Sequence, residues 1–140
     1  MERYVSHSAE STMRIAAELA EKLPDGSTVA LSGELGAGKT VFVKGFAAAL
    51  GIDEHITSPT FNIVKEYEGK KKLYHFDVYR IGDVDELFQI GFDEYIDSDA
   101  ICIIEWADII KEALPRDAIR VKIEGSGDMD RIITIEGENF

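Results

Sequence analysis

Eight consecutive residues have the spacing G-x-x-x-x-G-K-T with one additional glycine, and they are Gly33, Glu34, Leu35, Gly36, Ala37, Gly38, Lys39 and Thr40. Glycines allow backbone conformations that other residues avoid, so the N–H groups of such a loop can converge on one anion. A helix that begins at the end of the loop directs its positive dipole end at the same anion. The pattern is typical of a phosphate-binding loop. The alternative is a glycine-rich turn that binds nothing.

Two residues of the loop and two acids further along the chain could bind and hydrolyse a nucleoside triphosphate. We predict that Lys39 contacts the β- and γ-phosphates and that the Thr40 hydroxyl binds Mg²⁺. Hydrolysis also needs a carboxylate at the end of a neighbouring strand, which holds Mg²⁺ or orients the attacking water. Asp77 and Glu105 each follow a β-like run. The alternative for either acid is a helix N-cap or a surface carboxylate.

Three residues between or beside these motifs are weaker candidates. Ser58 and Thr60 lie between the helix after the loop and the next strand, where a segment can sense the γ-phosphate. A plain loop held extended by Pro59 is the alternative. Trp106, the only tryptophan, directly follows Glu105 and could pack in the core, stack on a base or lie at an interface.

A histidine and an arginine also lie near the predicted site. His75 stands in a β-like run between apolar neighbours, which favours a hydrogen-bonded sheet histidine over a ligand. Arg80 follows Asp77 by three residues and is the nearest candidate for an arginine finger. A partner protein could supply that arginine instead, and the sequence leaves the choice open.

The elements predicted around the loop provide the context that the motif requires, a buried strand at 27–32 and a helix at 40–50. An amphipathic helix precedes them at 8–23, with Ser8 as its N-cap. The remaining elements are a hairpin at 61–67 and 73–78, helices at 83–89 and 107–114, and strands at 100–104, 118–124 and 131–135. This order predicts an α/β, three-layer P-loop NTPase-like fold over residues 1–140. Its mixed, mostly parallel sheet carries an antiparallel hairpin and has helices on both faces.

Composition excludes several classes of protein. The 140 residues suit one domain, and 45% of them are apolar, enough for a core. The net charge of −12 disfavours autonomous binding to nucleic acid, and the basic run 70–72 reads as a solvated hairpin tip. The single Cys102 and the lack of a long apolar run predict a cytoplasmic protein without a membrane segment.

The ordered set of motifs resembles the TsaE family. The residues that carry the resemblance are the loop 33–40, Ser58-Pro59-Thr60-Phe61, His75-Phe76-Asp77-Val78-Tyr79-Arg80, Glu86-Leu87 with Ile90-Gly91, and Ile104-Glu105-Trp106. They cover nearly the whole chain, from the Ser11-Thr12 region to Arg131. Two departures are small: Glu34 stands where aspartate is common, and Ala107 stands where proline is frequent.

The resemblance implies an ATPase that binds ATP and Mg²⁺, hydrolyses ATP slowly, and serves the threonylcarbamoyladenosine modification of tRNA. It implies association with the TsaB–TsaD pair, with tRNA held mainly through those partners. By this match Lys39 holds phosphate, Thr40 binds Mg²⁺, Asp77 and Glu105 serve the metal and the water, and Trp106 lies beside the nucleotide. Thr12 would lie close to the adenine.

Three other functions share the phosphate loop. A small-molecule kinase needs a lid and a substrate-binding segment, for which 140 residues leave little room. A GTPase needs a base-reading N-K-x-D motif, which the sequence lacks. A nucleotide-dependent adaptor without functional hydrolysis stays open, because turnover leaves no mark on a sequence.

Overall fold

The computed structural model describes residues 1–33, 38–57, 63–125 and 130–137. Within them, seven strands form one sheet in the order β1-β7-β6-β2-β5-β4-β3. The strands are β1 (Glu2–Ser6), β2 (Thr28–Ser32), β3 (Val64–Glu68), β4 (Lys72–Asp77), β5 (Ile101–Glu105), β6 (Ile119–Gly125) and β7 (Arg131–Glu136). The helices are α1 (Ala9–Lys22), α2 (Lys39–Ala49), α3 (Val84–Gln89) and α4 (Phe92–Ile96), and a 3-10 helix spans Ala107–Ala113.

The centre of the sheet is parallel and both of its edges are antiparallel. Strand β2 pairs in parallel with β5 and β6, and β5 pairs in parallel with β4. Strand β3 closes one edge as a hairpin with β4, and β7 and β1 extend the other. All five residues of β5 are buried, as expected of a strand covered on both faces. The predicted mixed α/β fold is confirmed.

Helices cover both faces of the sheet. Helices α1 and α2 pack on one face over Leu31, Ile103 and their neighbours. On the other face, α3, α4 and the 3-10 helix cover Phe76 and Ile104. Ser8 caps α1 as predicted, since its side chain accepts a hydrogen bond from the backbone N–H of Ser11.

Three predictions about secondary structure need correction. The segment predicted as a helix at 107–114 is a 3-10 helix, and non-helical dihedral angles at Ile110 (φ −119°, ψ 36°) kink it. The prediction missed β1, whose five residues Glu-Arg-Tyr-Val-Ser have no apolar–polar alternation, so that pairing with β7 decides the conformation. It also missed the five-residue α4, whose Phe92 ring packs edge to face on Phe76 at 5.4 Å between ring centroids.

Helices α1 and α2 approach each other closely at Gly45. A Cβ built on Gly45 would lie 2.4 Å from the carbonyl oxygen of Met13, and backbone cannot easily move aside. We therefore expect Gly45→Ala to lower the free energy of unfolding by about 1–3 kcal/mol through overpacking. Ala48 lies on the exposed side of α2, so Ala48→Leu is a matched control that should change it by less than about 0.5 kcal/mol. Urea titration measures both, and equal effects would contradict the close helix contact.

Candidate functional site

The two described ends of the glycine loop, Gly33 and Gly38, lie between a strand and a helix, as a phosphate-binding loop requires. Gly33 directly follows β2, and Gly38 directly precedes α2 in the left-handed conformation (φ 102°), which disfavours any other residue. Lys39 begins α2, is only 6% exposed, and donates a hydrogen bond from Nζ to the carbonyl oxygen of Gly33. Residues Glu34, Leu35, Gly36 and Ala37 lie outside the described part of the chain. Thr40 occupies the first turn of α2 and is exposed.

The sheet brings the two predicted acids together. Asp77 and Glu105 are register partners at the carboxyl ends of the parallel strands β4 and β5, and Glu105 also pairs with Leu31 of β2. Side chains alternate along a strand, so both acids point to the face of Leu73 and Ile103, which α1 and α2 cover. Glu105 is buried and Asp77 is half-buried. Neither acid is the N-cap of a described helix, and Glu105 is too buried to be a surface carboxylate. Asp77 is partly exposed, so its role at the site stays a prediction.

Trp106 connects the loop to the acids. It directly follows Glu105, and Lys39 Nζ lies 3.9 Å from the centroid of its ring, a cation–π contact. The exposed ring of Tyr79 lies 4.5 Å from the Trp106 ring between centroids. Trp106 has a positive φ of 63°, which costs a bulky residue on the order of 1 kcal/mol and is usually retained at functional sites. Trp106 is partly buried and packs against the core cluster of Phe76 and Ile104, so the structure supports core packing. Stacking on a base or a place at an interface stays a prediction.

One residue near Gly38 was not singled out as functional by the sequence reasoning. A Cβ built on Gly38 would lie 3.9 Å from Nε of Arg131 at the start of β7. Arg131 pairs in register with Ser6, and Ser6 Oγ lies 2.7 Å from Oγ1 of the buried Thr12. Arg131 therefore lies beside the described end of the loop. The role of Thr12 beside an adenine stays a prediction. Nothing local in the sequence marks Arg131, and only the folded structure brings it near Gly38.

Two predictions from the sequence, the switch and the arginine finger, are not tested by the described residues. Ser58 and Thr60, the predicted switch, lie outside the described residues. Arg80 is described and exposed in the turn after β4. Its role as an arginine finger stays a prediction.

The electrostatics of Asp77 follow from its half-buried position. Burial raises the pKa of its carboxyl, and the neighbouring Glu105 raises it further. The backbone N–H of Tyr79, which donates to Asp77 Oδ1 at 3.0 Å, acts in the opposite direction, as do His75 and Lys39. The net pKa is raised, so folding favours the protonated form of this acid.

We expect Asp77→Asn to increase stability. A raised pKa in the folded state means that the stability linked to this carboxyl is full below its unfolded pKa and falls as pH rises through the folded pKa. At neutral pH the neutral amide avoids that loss, so the melting temperature should rise.

Thermal unfolding at several pH values checks the prediction for Asp77. The difference in melting temperature between the variant and the unsubstituted protein should shrink as pH falls toward the ordinary range of an aspartate. The control is Asp85→Asn, because Asp85 is exposed. Its difference in melting temperature from the unsubstituted protein should not depend on pH in this manner. A variant less stable than the unsubstituted protein at neutral pH would contradict the assigned cause.

The donor atoms of the site fit Mg²⁺. Among the described residues, no three or more His, Cys, Asp or Glu side chains gather into a metal cage. Mg²⁺ in nucleotide sites does not need one, because one or two carboxylates suffice together with phosphate oxygens and water. Asp77 and Glu105 supply two carboxylates at adjacent strand ends, and Thr40 supplies a hydroxyl. Such an all-oxygen set suits a hard cation.

Other features of the molecule are less suited to nucleotide binding. In the basic run, Lys71 Nζ lies 3.0 Å from Asp25 and Lys72 Nζ lies 2.8 Å from Glu66, so neighbouring acids pair with these cations. Cys102 is buried, and burial raises the pKa of its thiol to about 12, which makes it unreactive. A cavity of about 680 Å³ lies between the 3-10 helix and β6, but Lys39 and the two acids do not line it. In the described part of the chain, helices are too short or too polar to cross a membrane.

Comparisons with known proteins agree with this arrangement. A family model described as "Threonylcarbamoyl adenosine biosynthesis protein TsaE" matches residues 6–133. The chain is 42% identical over 133 residues to the tRNA threonylcarbamoyladenosine biosynthesis protein TsaE of Treponema pallidum, covering 95% of this chain and 98% of the relative. It is 46% identical over 126 residues to the protein of the same name from Bacillus subtilis, covering 89% of this chain and 78% of the relative.

A solved structure is similar as well. The crystal structure of Bacillus subtilis YdiB matches with a TM-score of 0.82 and 39% sequence identity, over 97% of this chain and 84% of that one. The matches extend along nearly the whole chain and include the loop, both acids and Trp106. The chain therefore belongs to the TsaE family.

Proposed function

We propose that the protein is a Mg²⁺-dependent ATPase that serves the threonylcarbamoyladenosine modification of tRNA. One observation carries the ATPase part of the proposal: Lys39 Nζ lies against the ring of Trp106, the residue that follows Glu105. This contact puts the phosphate-binding lysine beside the strand ends that carry both acids. The modification of tRNA comes from the names of the relatives in Treponema pallidum and Bacillus subtilis.

In the proposed reaction, water attacks the γ-phosphate in line with the bond that breaks, and ADP and phosphate leave. Lys39 exchanges its contact with the Gly33 carbonyl oxygen for the β- and γ-phosphate oxygens, where its charge stabilises the transition state. Asp77 and Glu105 between them orient the water and hold the metal, and Thr40 completes the oxygen donors. Mg²⁺, when bound, neutralises the charge that develops on the phosphates.

Four further residues have proposed roles around the nucleotide. Arg131, close to Gly38, adds a positive charge at the edge of the loop that can contact phosphate or sugar oxygens. Trp106 and Tyr79 present two aromatic rings, tilted by 42° to each other, beside Lys39, and a base or a partner side chain can cover them. Thr12 remains the proposed neighbour of the adenine, with its hydroxyl already bonded to Ser6.

The proposed partners are the TsaB and TsaD proteins, and hydrolysis would drive cycling of that assembly. The net charge of −12 supports a division of labour in which tRNA contacts the partners rather than this acidic chain. The ion pairs of Lys71 and Lys72 support it too, since these cations are already neutralised by neighbouring acids.

Phosphate release and product analysis test the function. With Mg²⁺, we expect slow release of phosphate from ATP, little from GTP, and ADP with free phosphate as the only products in the presence of small acceptors. Addition of the TsaB–TsaD pair should change the rate, and repeated rounds of tRNA modification should require both this protein and ATP. Transfer of phosphate to an acceptor, or a strong preference for GTP, would overturn the proposal.

Binding can be followed without chemistry because the chain contains one tryptophan. When nucleotide draws Lys39 away from the Trp106 ring, the fluorescence of that ring should change and then saturate. A nucleotide-dependent adaptor would show this binding signal with no phosphate release, so the two measurements together separate the adaptor from the ATPase.

A further inference from the structure

His75 and Glu105 form a buried pair just below the ends of β4 and β5. The His75 side chain has no solvent exposure, Glu105 is 3% exposed, and His75 Nε2 lies 2.5 Å from Glu105 Oε2. The residues that face each other in register are His75 with Ile103 and Asp77 with Glu105. The imidazole therefore reaches diagonally across to the carboxylate beside Asp77. This contact is a short hydrogen bond inside the protein, where it is strong.

The surroundings of the second ring nitrogen, Nδ1, decide which nitrogen of His75 carries the proton. His75 Nδ1 is buried and has no hydrogen-bond partner within the described part of the chain. A proton on Nδ1 would be a buried donor without an acceptor, which is costly, whereas a lone pair there costs less. The ring therefore carries its proton on Nε2 and donates it to Glu105.

We propose that His75 is a positioning residue that holds the Glu105 carboxylate in the orientation that binds Mg²⁺. This inference rests on the proposed function, in which Asp77 and Glu105 together hold the metal and orient the water, and it assigns the metal to Glu105. A glutamate side chain rotates about three bonds, and its terminal torsion is loose. The hydrogen bond to Oε2 fixes that torsion before nucleotide and metal arrive, because the rigid imidazole is itself locked in the core.

Packing alone does not account for this pair. Replacing a buried polar pair by apolar side chains of similar volume often leaves a protein equally stable or more stable. The interior around it is apolar, since Leu73 and Ile103 lie next to it on the same face. Groups that orient a metal ligand from behind typically contribute 10- to 100-fold to metal affinity. A gain of this size in the affinity for Mg²⁺ explains why a histidine, rather than an apolar residue, stands at position 75.

The coupling between Mg²⁺ and nucleotide tests the role of His75. The dissociation constant of ADP is measured by calorimetry in EDTA and in saturating MgCl₂, and the ratio of the two constants gives the coupling factor. His75→Leu removes the donor, so the factor should fall about tenfold or more while affinity in EDTA is unchanged. His75→Gln, whose amide N–H can stand in for Nε2–H, should retain most of the factor. In a Glu105→Gln background, His75→Leu should have no additional effect.

The outcomes separate this role from the proposed function. If the unsubstituted protein shows coupling and His75→Leu keeps it, the role of His75 is overturned and the metal site stands. An equal loss in the Glu105→Gln background also overturns it, because His75 would then act without Glu105. If the unsubstituted protein shows no coupling, both the metal site and the role of His75 fail.

A replacement variant keeps the test possible even where His75→Leu is too unstable to fold. If His75→Leu does not fold, His75→Asn takes its place, since its shorter side chain keeps a polar group but cannot reach Oε2. His75→Gln should then retain the coupling factor and His75→Asn should lose it. Equal factors in the two variants would overturn the inference.

Discussion

Lys39→Ala is expected to lower ATP turnover by about 100- to 1000-fold, the usual effect of removing one fixed charge that stabilises a transition state. The structure gives the reason. Lys39 is buried between the Gly33 carbonyl oxygen and the Trp106 ring, at the point where the loop meets the strand that carries Glu105. Water cannot replace a charge held in so enclosed a place. Phosphate release under saturating ATP and Mg²⁺ measures the effect.

Lys44→Ala is the matched control for Lys39→Ala, because Lys44 lies in the same helix and is partly buried. It should leave turnover unchanged. Trp106 fluorescence should in addition differ between Lys39→Ala and the unsubstituted protein before any nucleotide is added, since the cation over the ring is gone. If Lys39→Ala retained turnover within about tenfold of the unsubstituted protein, the loop would not bind the phosphates as proposed.

Glu105→Gln is expected to lower turnover by a similar factor of about 100 or more, without loss of the fold. The amide oxygen of glutamine still accepts the hydrogen bond from His75, so the buried donor keeps a partner. The carboxylate charge that holds the metal or orients the water is lost. Glu105→Ala would in addition leave His75 unpaired, which should lower the free energy of unfolding by about 1–3 kcal/mol.

The exposed Glu112→Gln in the 3-10 helix is the control for Glu105→Gln and should leave turnover unchanged. Comparison with Asp77→Asn then divides the roles of the two acids. The substitution that weakens nucleotide binding only when Mg²⁺ is present identifies the residue that contacts the metal. If both acids could be replaced without loss of turnover while Lys39→Ala abolished it, the roles given to the acids would be wrong.

The described structure bears differently on the two competing functions. The cavity of about 680 Å³ by the 3-10 helix, with Lys111 and Arg120 in its wall, does not include Lys39, so this cavity gives no support to a kinase. The pair of acids in register at the ends of β4 and β5 suits both an ATPase and an adaptor that binds Mg²⁺ with ATP. Phosphate release therefore separates these two functions.

Most elements of the fold could be predicted from local pattern. Ser8 marked the start of α1, and the run 101–104 marked a strand buried on both faces. The predictions failed where the chain has little local preference. The short β1 exists because β7 pairs with it, and the segment after Trp106 forms a kinked 3-10 helix because Ile110 is drawn into the core.

For the site, the sequence by itself determined the chemistry of its parts. The glycine spacing ending in Lys39 and Thr40 predicts phosphate binding, because backbone freedom and one lysine are local properties. The positions of Asp77 and Glu105 at strand ends could also be inferred, since each closes a run of β-forming residues. Which strands are neighbours could not, because pairing depends on contacts between residues distant in sequence.

Only the tertiary structure decided how those parts meet. The parallel pairing of β4 with β5 places Asp77 beside Glu105 and brings His75 within 2.5 Å of the latter. Strand β6 pairs with both β2 and β7, so the start of β7 lies on the side of the sheet where Arg131 comes near Gly38, and Lys39 lies on the ring of Trp106. These contacts join residues from 28 apart in the chain (Asp77 and Glu105) to 93 apart (Gly38 and Arg131), so no local pattern could encode them. Burial at their meeting point then raises the pKa of Asp77, which the sequence alone could not reveal.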